Sequence, residues 1–296
     1  MKWEYLREEE FAPAIEKSGG LCVMCLGCLE KHGQHLPVGT DSLKGDKIVE
    51  LAAERAGVVM FPTTMWLGDV VSSHAIADPS ERKKHGFIGM NPHTLLTVLE
   101  ELCDEIARNG FRKILLCNSH GGNTRLLSYF VRAQCYKKKG YATMFCKAYD
   151  LGVHIHPKNI LAAAEADPEG FSMLTEEDYA TLRKFAQPGT TFGHGCFAET
   201  ALIYGTYPDL VAPDRYDAEN SLSTHRADYL AKLGVEYGYA WPSNFPESYA
   251  GTPPHGCSET IGAAAVKMSV DRLTHIFETL RDDEECVAMA KEGLPG

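Results

Sequence analysis

Short apolar, β-rich runs alternate along this chain with longer stretches of helical periodicity. That is the pattern of an α/β sheet whose strands are joined by crossover helices. Leu21 to Leu26 reads as a first buried strand, Val58 to Phe61 as a second, Lys113 to Cys117 as a third and Tyr141 to Cys146 as a fourth. A helix from about Asp41 to Arg55 places Ile48, Leu51 and Ala52 on one face. Asn91-Pro92 supplies an N-cap followed by proline at the first helical position. That helix turns Leu95, Leu99, Leu102 and Ile106 inward and stops at Asn109-Gly110. Another runs from about Asn123 to Lys137. Beyond residue 150 the pattern loosens. The stretch 150–190, with Pro157, Pro168 and Pro188, reads as an insertion or lid. A helix should contain Glu199 to Tyr204, 214–254 is loop-rich, and a last helix runs from about Ser258 to Leu280. No internal repeat or linker divides the 296 residues, which points to a single domain.

Ligands of open parallel sheets collect outside the carboxyl ends of the strands. Glu30 and His32, and separately His120, fall a few residues past two such ends. With Asp41 and Glu199 they make five residues of metal-ligand type in three glycine-rich segments. Two imidazoles and three carboxylates suffice for two divalent metals if one carboxylate bridges them. Such a pair can turn water into hydroxide near neutral pH and clamp the oxygen it attacks, so a metal-dependent hydrolase is the first reading.

Each segment has its own logic. Glu30 and His32, at i and i+2 of an extended segment, point the same way and can reach one cavity. Asp41 is the candidate bridge, and the N-cap of the following helix is its other reading. His120 precedes Gly121 and Gly122, which let backbone N–H groups approach a ligand closely. The same glycines could belong to a phosphate loop, but the G-x-G-x-x-G and G-x-x-x-x-G-K patterns are absent. His194 and Glu199 bracket a turn into a helix, Glu199 as a ligand and His194 as a general acid or base, an ordinary surface position being the other reading of either.

Other motifs carry less. Cys22-x-x-Cys25-x-x-Cys28 resembles part of an iron–sulfur run, yet Cys22 and Cys25 would face opposite sides of a strand, so buried structural thiols are expected. His154-x-His156 sits at a loop entry beside Pro157 and fits a lid or surface role. Ser72-Ser73-His74 lacks any G-x-S-x-G elbow.

A net charge of −11 argues against a nucleic-acid partner. No apolar run approaches the roughly 20 residues a membrane span needs, and the N-terminus lacks a signal peptide's apolar core. Ten cysteines without a secretory signal read as reduced thiols in a cytoplasm.

Taken together, the chain resembles the creatininase (creatinine amidohydrolase) family. The likeness rests on Gly27-Cys28-Leu29-Glu30-Lys31-His32-Gly33-Gln34-His35-Leu36-Pro37-Val38-Gly39-Thr40-Asp41 and on Asn118-Ser119-His120-Gly121-Gly122-Asn123. Gly193-His194, Glu199-Thr200 and Tyr207-Pro208-Asp209-Leu210-Val211 extend it. It runs from about residue 5 to 280 and is weakest across 66–90, 150–190 and 215–255. The resemblance implies an α/β fold, a three-layer α/β/α sandwich with a mainly parallel central sheet. It implies two divalent ions, of zinc, manganese or iron. Glu30 and His120 would hold one, His32 and Glu199 the other, and Asp41 would bridge. His194 would stand beside the substrate, Ser73 would contact it, and the chain would form a homo-oligomer, often a hexamer in this family.

Creatininase itself has a tyrosine and a glutamate where Gly121 and Gly122 stand, and an aromatic–acid pair where this chain reads Thr191-Phe192-Gly193. Its His-Ala-Gly-Glu pattern is His194-Gly195-Cys196-Phe197 here. The two-glycine version looks like relatives that cleave formamides or other amides, including deformylases and a peptide-trimming branch. The expected activity is hydrolysis of a non-peptide C–N bond in a small cyclic amide or formamide, with the Gly121 and Gly122 amides binding substrate oxygen and His194 shuttling a proton. A catalytically silent ligand-binding member of the fold and creatinine/creatine interconversion proper are the alternatives.

Overall fold

A computed structural model describes residues 1–64, 66–70, 86–137, 139–146 and 155–292. In chain order these form α1 (Phe11–Lys17), β1 (Leu21–Leu26), α2 (Thr40–Ala56), β2 (Val59–Met60), α3 (Pro92–Arg108), β3 (Lys113–Asn118), α4 (Asn123–Gln134) and β4 (Ala142–Cys146). There follow α5 (Pro157–Ala166), α6 (Glu176–Phe185), α7 (Phe197–Thr206), α8 (Asp228–Lys232), α9 (Ala240–Asn244), α10 (Glu259–Asp282) and α11 (Glu285–Glu292).

The strands lie in the order β2-β1-β3-β4, and every pairing between them is parallel. β1 and β3 are buried along their whole length, as expected of strands covered on both faces. Their side chains alternate between two cores. Leu21, Val23, Cys25, Leu115 and Cys117 pack with residues of α2, α5, α6, α7 and α10. Cys22, Met24, Leu26, Ile114 and Leu116 pack with α1, α3 and α4. This is the three-layer α/β/α arrangement. Cys22 and Cys25 do point to opposite layers, and both are buried free thiols.

Register places the functional loops. Leu26 pairs with Asn118, so β1 and β3 finish level. The segments after them, carrying Glu30 and His120, therefore leave the sheet side by side at its carboxyl edge. Local chemistry fixes the helix starts: Asn91 accepts from the His93 amide at 2.9 Å, and Ser258 from the Ile261 amide at 3.2 Å. Helices α7 and α10 approach backbone to backbone at Gly205 and Gly262, a contact only glycine allows.

Residues 155–190 are more regular than the sequence pattern predicts. Helices α5 and α6 form there, and Ile160, Ala164, Leu182 and Phe185 are buried in the larger core. The prolines misled: Pro157 sits in the first turn of α5, where its missing N–H costs nothing, and α6 opens with a Thr175–Asp178 capping box. Helix α11 was not anticipated either. Ser73, with Ser72 and His74, and also His154 lie outside the described residues. Among the described residues, no helix is long and apolar enough to cross a membrane.

Candidate metal centre

Three loops and one helix start build the centre. After β1 the chain turns at Gly33 (φ 67°), and the Glu30 amide donates to Val38 O at 2.9 Å, closing a loop that returns to α2. Asp41 lies in the first turn of α2 and caps nothing, because Gly39 is the cap residue and makes no side-chain cap bond. Its N-cap reading is therefore not borne out. Ser119 Oγ donates to Asp41 O at 2.7 Å and ties this turn to the end of β3. The third loop bends at Gly195 (φ 68°), whose amide donates to Glu199 Oε2 at 2.6 Å. His35 Nε2 donates to Gly195 O at 2.8 Å and holds the bend from below.

The five expected ligands converge. Asp41 divides its two oxygens. Oδ2 lies 2.9 Å from His120 Nδ1, which is 3.1 Å from Glu30 Oε1. Oδ1 lies 3.4 Å from His32 Nε2, which is 3.6 Å from Glu199 Oε1. Candidate ligand atoms of Cys28, Glu30, Asp41 and His120 fall within 4.8 Å of one another, and so do those of His32, Asp41 and Glu199. Both sets are buried.

Each histidine is oriented as a ligand would be. His120 Nε2 donates to Asp69 O at 2.8 Å, leaving Nδ1 toward the carboxylates. His32 Nδ1 donates to Glu30 O at 3.1 Å, and its buried Nε2 faces two carboxylate oxygens without a hydrogen bond of its own. A backbone carbonyl fixing one ring nitrogen and presenting the other is the usual outer support of a metal-bound imidazole. The orphaned nitrogen, the oriented rings and the three clustered carboxylates together fit a divalent cation.

The electrostatics say the same. Burial disfavours charge on His32, but Glu199 and Asp41 outweigh it and push its pKa up to about 10. His120 is raised well above its ordinary value, Glu30 overcoming the opposing burial. Asp41 is held well below the carboxylate range despite burial, by Lys44 and then His32. Glu199 is lowered in the same way, by Lys44 and His32. Without an ion both imidazoles keep a proton at neutral pH, so an ion must expel protons to bind. Apparent affinity should therefore rise with pH, by about tenfold per unit for each proton released. Calorimetric titration with zinc in buffers of different ionisation enthalpy, between roughly pH 6 and 9, should detect the release. Affinity independent of pH would contradict it.

His194 joins the site from above. Its ring stacks on His32 at 3.9 Å, its Nε2 donates to Lys31 O at 2.6 Å, and Glu30 Oε1 is 3.7 Å away. Gly121 and Gly122, which follow His120, are exposed. A Cβ at Gly122 would stand 2.4 Å from His120 Nε2 and 2.8 Å from Asp69 O, so this glycine makes room for the imidazole and its carbonyl partner. His156 is placed elsewhere. It caps α5 by accepting from the Lys158 amide at 3.1 Å.

Three residues escaped the sequence reading. Lys44, wholly buried, donates to Asp41 Oδ1 at 2.5 Å and to Glu199 Oε1 at 2.6 Å. Its signal was available: it lies four residues before Ile48, on the face of α2 expected to be buried. Cys28 Sγ donates to Asp41 Oδ2 at 3.2 Å, so that thiol belongs to the centre, not only to the core. Trp241, in the loop-rich stretch, sets its ring edge-on to His194 at 5.1 Å. Nothing in its local sequence marked it.

Comparison with known proteins gives a consistent picture. The family model for Creatininase, described as creatinine amidohydrolase, matches residues 4–277. A creatinine amidohydrolase of Pseudomonas putida is 25% identical over 202 residues, covering 67% of this chain and 69% of that protein. Among solved structures, a manganese form of creatininase superposes with a TM-score of 0.65 at 19% identity, covering 99% of each chain. A mutant creatininase of Zn-Zn type gives 0.61 at 18% identity, covering 99% of this chain and 98% of that one. At such identities the structural likeness speaks for the fold.

Proposed function

The chain belongs to the creatininase family, and from that premise we propose that it is a metal-dependent amidohydrolase cleaving a non-peptide C–N bond of a small cyclic amide or formamide. One observation carries the reading: two buried donor sets meet on a single shared carboxylate, that of Asp41. Glu30 and His120 would hold one divalent ion and His32 and Glu199 another, with Asp41 between them. The manganese and Zn-Zn forms among the neighbours support zinc or manganese, with iron as a further option. Bound there, such ions supply Lewis acidity and acidify water near neutral pH.

The chain's own residues do the rest. His194 is held in one orientation by its bond to Lys31 O and by His32 and Trp241. Burial, then His32, lowers its pKa, so the ring is neutral at pH 7 and able to accept a proton and pass it to a leaving nitrogen. Gly121 and Gly122 leave the approach to His120 free of side chains, which suits a substrate oxygen near their amides. Ser73 is proposed as a substrate contact on the resemblance alone. Gly121-Gly122 in place of a tyrosine–glutamate pair favours an amide other than creatinine. The same reading carries a cytoplasmic homo-oligomer with it.

The test is turnover of a panel of formamides, cyclic amides and creatinine by protein purified without chelator or affinity nickel. Hydrolysis should vanish on chelation and return with zinc or manganese. Glu30→Gln should lower kcat/KM on the order of a thousandfold with unchanged circular dichroism. A metal-loaded protein inert on every amide would leave the silent binding role instead.

A further inference from the structure

Lys44 sits one turn into α2 from Asp41 with no exposed surface. Its Nζ donates to Asp41 Oδ1 at 2.5 Å and to Glu199 Oε1 at 2.6 Å. Those are the same two oxygens that His32 Nε2 faces at 3.4 and 3.6 Å. The ammonium thus rests on the oxygens that would complete the His32 end of the centre. The other end is untouched by it, because His120 and Cys28 use Asp41 Oδ2.

We infer that Lys44 is a resident cation of the His32–Asp41–Glu199 position, so that the chain binds one divalent ion tightly at the Glu30–Asp41–His120 end and admits a second only by displacing the ammonium. The inference rests on the metal-dependent reading above and ranks its two positions.

Charge and geometry both support the ranking. Glu30, Asp41 and Glu199 bring three negative charges into a buried site. One divalent ion and one ammonium balance them. A second divalent ion beside a retained ammonium would leave two surplus positive charges out of water, which is costly. An ion sharing both oxygens with the ammonium would also lie within a few ångströms of it and be strongly repelled. Moving the ammonium aside is costly too. Among the described residues its hydrogen bonds go to these two carboxylates alone, and its stem is wholly buried. The first position carries no such competitor.

The experiment is stepwise titration of chelator-stripped protein with zinc against a competing indicator, with elemental analysis of the dialysed product. The wild-type chain should retain one ion per chain, with a second binding on the order of a hundredfold more weakly. Lys44→Met should retain two. Lys44→Arg, which keeps the cation, should retain one. Two ions of similar affinity in the wild type would overturn the role of Lys44 while leaving the amidohydrolase reading intact, and this arm holds even if Lys44→Met does not fold. A folded Lys44→Met protein that still retains one tight ion would overturn it as well. No ion at all would remove both readings.

Discussion

Asp41→Asn is expected to abolish tight metal binding and to lower amide turnover on the order of a thousandfold or more. Asp41 is the one residue common to both donor sets, with one oxygen toward His120 and the other toward His32. An amide keeps the shape but loses the charge, and one of its two polar atoms becomes a donor facing His32, Lys44 or His120. Stability should fall too. Lys44 is buried against Asp41 and Glu199, and removing one partner of a buried ion pair costs about 3–5 kcal/mol. Glu199 still faces the ammonium, so the lower end of that range applies. The checks are elemental analysis, kcat/KM on the best amide and thermal unfolding. A variant with undiminished metal content and turnover would show that Asp41 does not join the two positions.

Gly262→Val is expected to cause the largest loss of stability away from the centre. A Cβ at this position would stand 2.4 Å from Gly205 N, 2.6 Å from Ala201 O and 2.8 Å from Tyr204 Cβ. Two of these are backbone atoms of α7, which cannot rotate away, so α7 must lift from α10. Overpacking of this kind costs about 1–3 kcal/mol. In a chain of this size each kcal/mol lowers Tm by about 2–4 °C. Function should suffer in parallel, because α7 carries Glu199. Calorimetry and zinc affinity measure the two effects together. Gly238→Ala, where an added Cβ meets nothing within 4 Å, is the control that should change neither. If Gly262→Val unfolds with the wild-type Tm, the close approach of α7 and α10 does not hold their layer together.

The centre combines a half carried by β1, β3 and α2 with a wall drawn from elsewhere. β1, β3 and α2 deliver Glu30, His32, Asp41 and His120 from the carboxyl edge of a buried sheet. Glu199 arrives on α7, and the upper wall comes from the segment around Trp241 and Ser248. The Gly33 amide donates to Ser248 O at 3.1 Å, and Lys31 Nζ pairs with Glu219 at 2.5 Å. The candidate ligands Glu30, His32, Asp41 and His120 are buried, whereas Trp241 of the wall is exposed.

By itself, the sequence determined the strands, most of the helices and the identity of five convergent ligand-type residues. These were legible because they depend on local regularities. A strand buried on both faces must be continuously apolar, a helix on a core must repeat its apolar face, and β1 and β3 of a parallel sheet present their trailing loops on one edge. Prolines obscured α5 and α6, since the same residue that breaks a helix interior also starts one. Tertiary structure alone decided how the carboxylates are shared. Lys44 and Glu199 are 155 residues apart in the chain, and only the packing of α2 against α7 brings the ammonium onto its oxygen. The same holds for Cys28 against Asp41 and for Trp241 against His194. A charge on a buried helix face can be noticed in a sequence, but the partner that neutralises it is set by how separate elements pack. Spacing along the chain does not encode that distance.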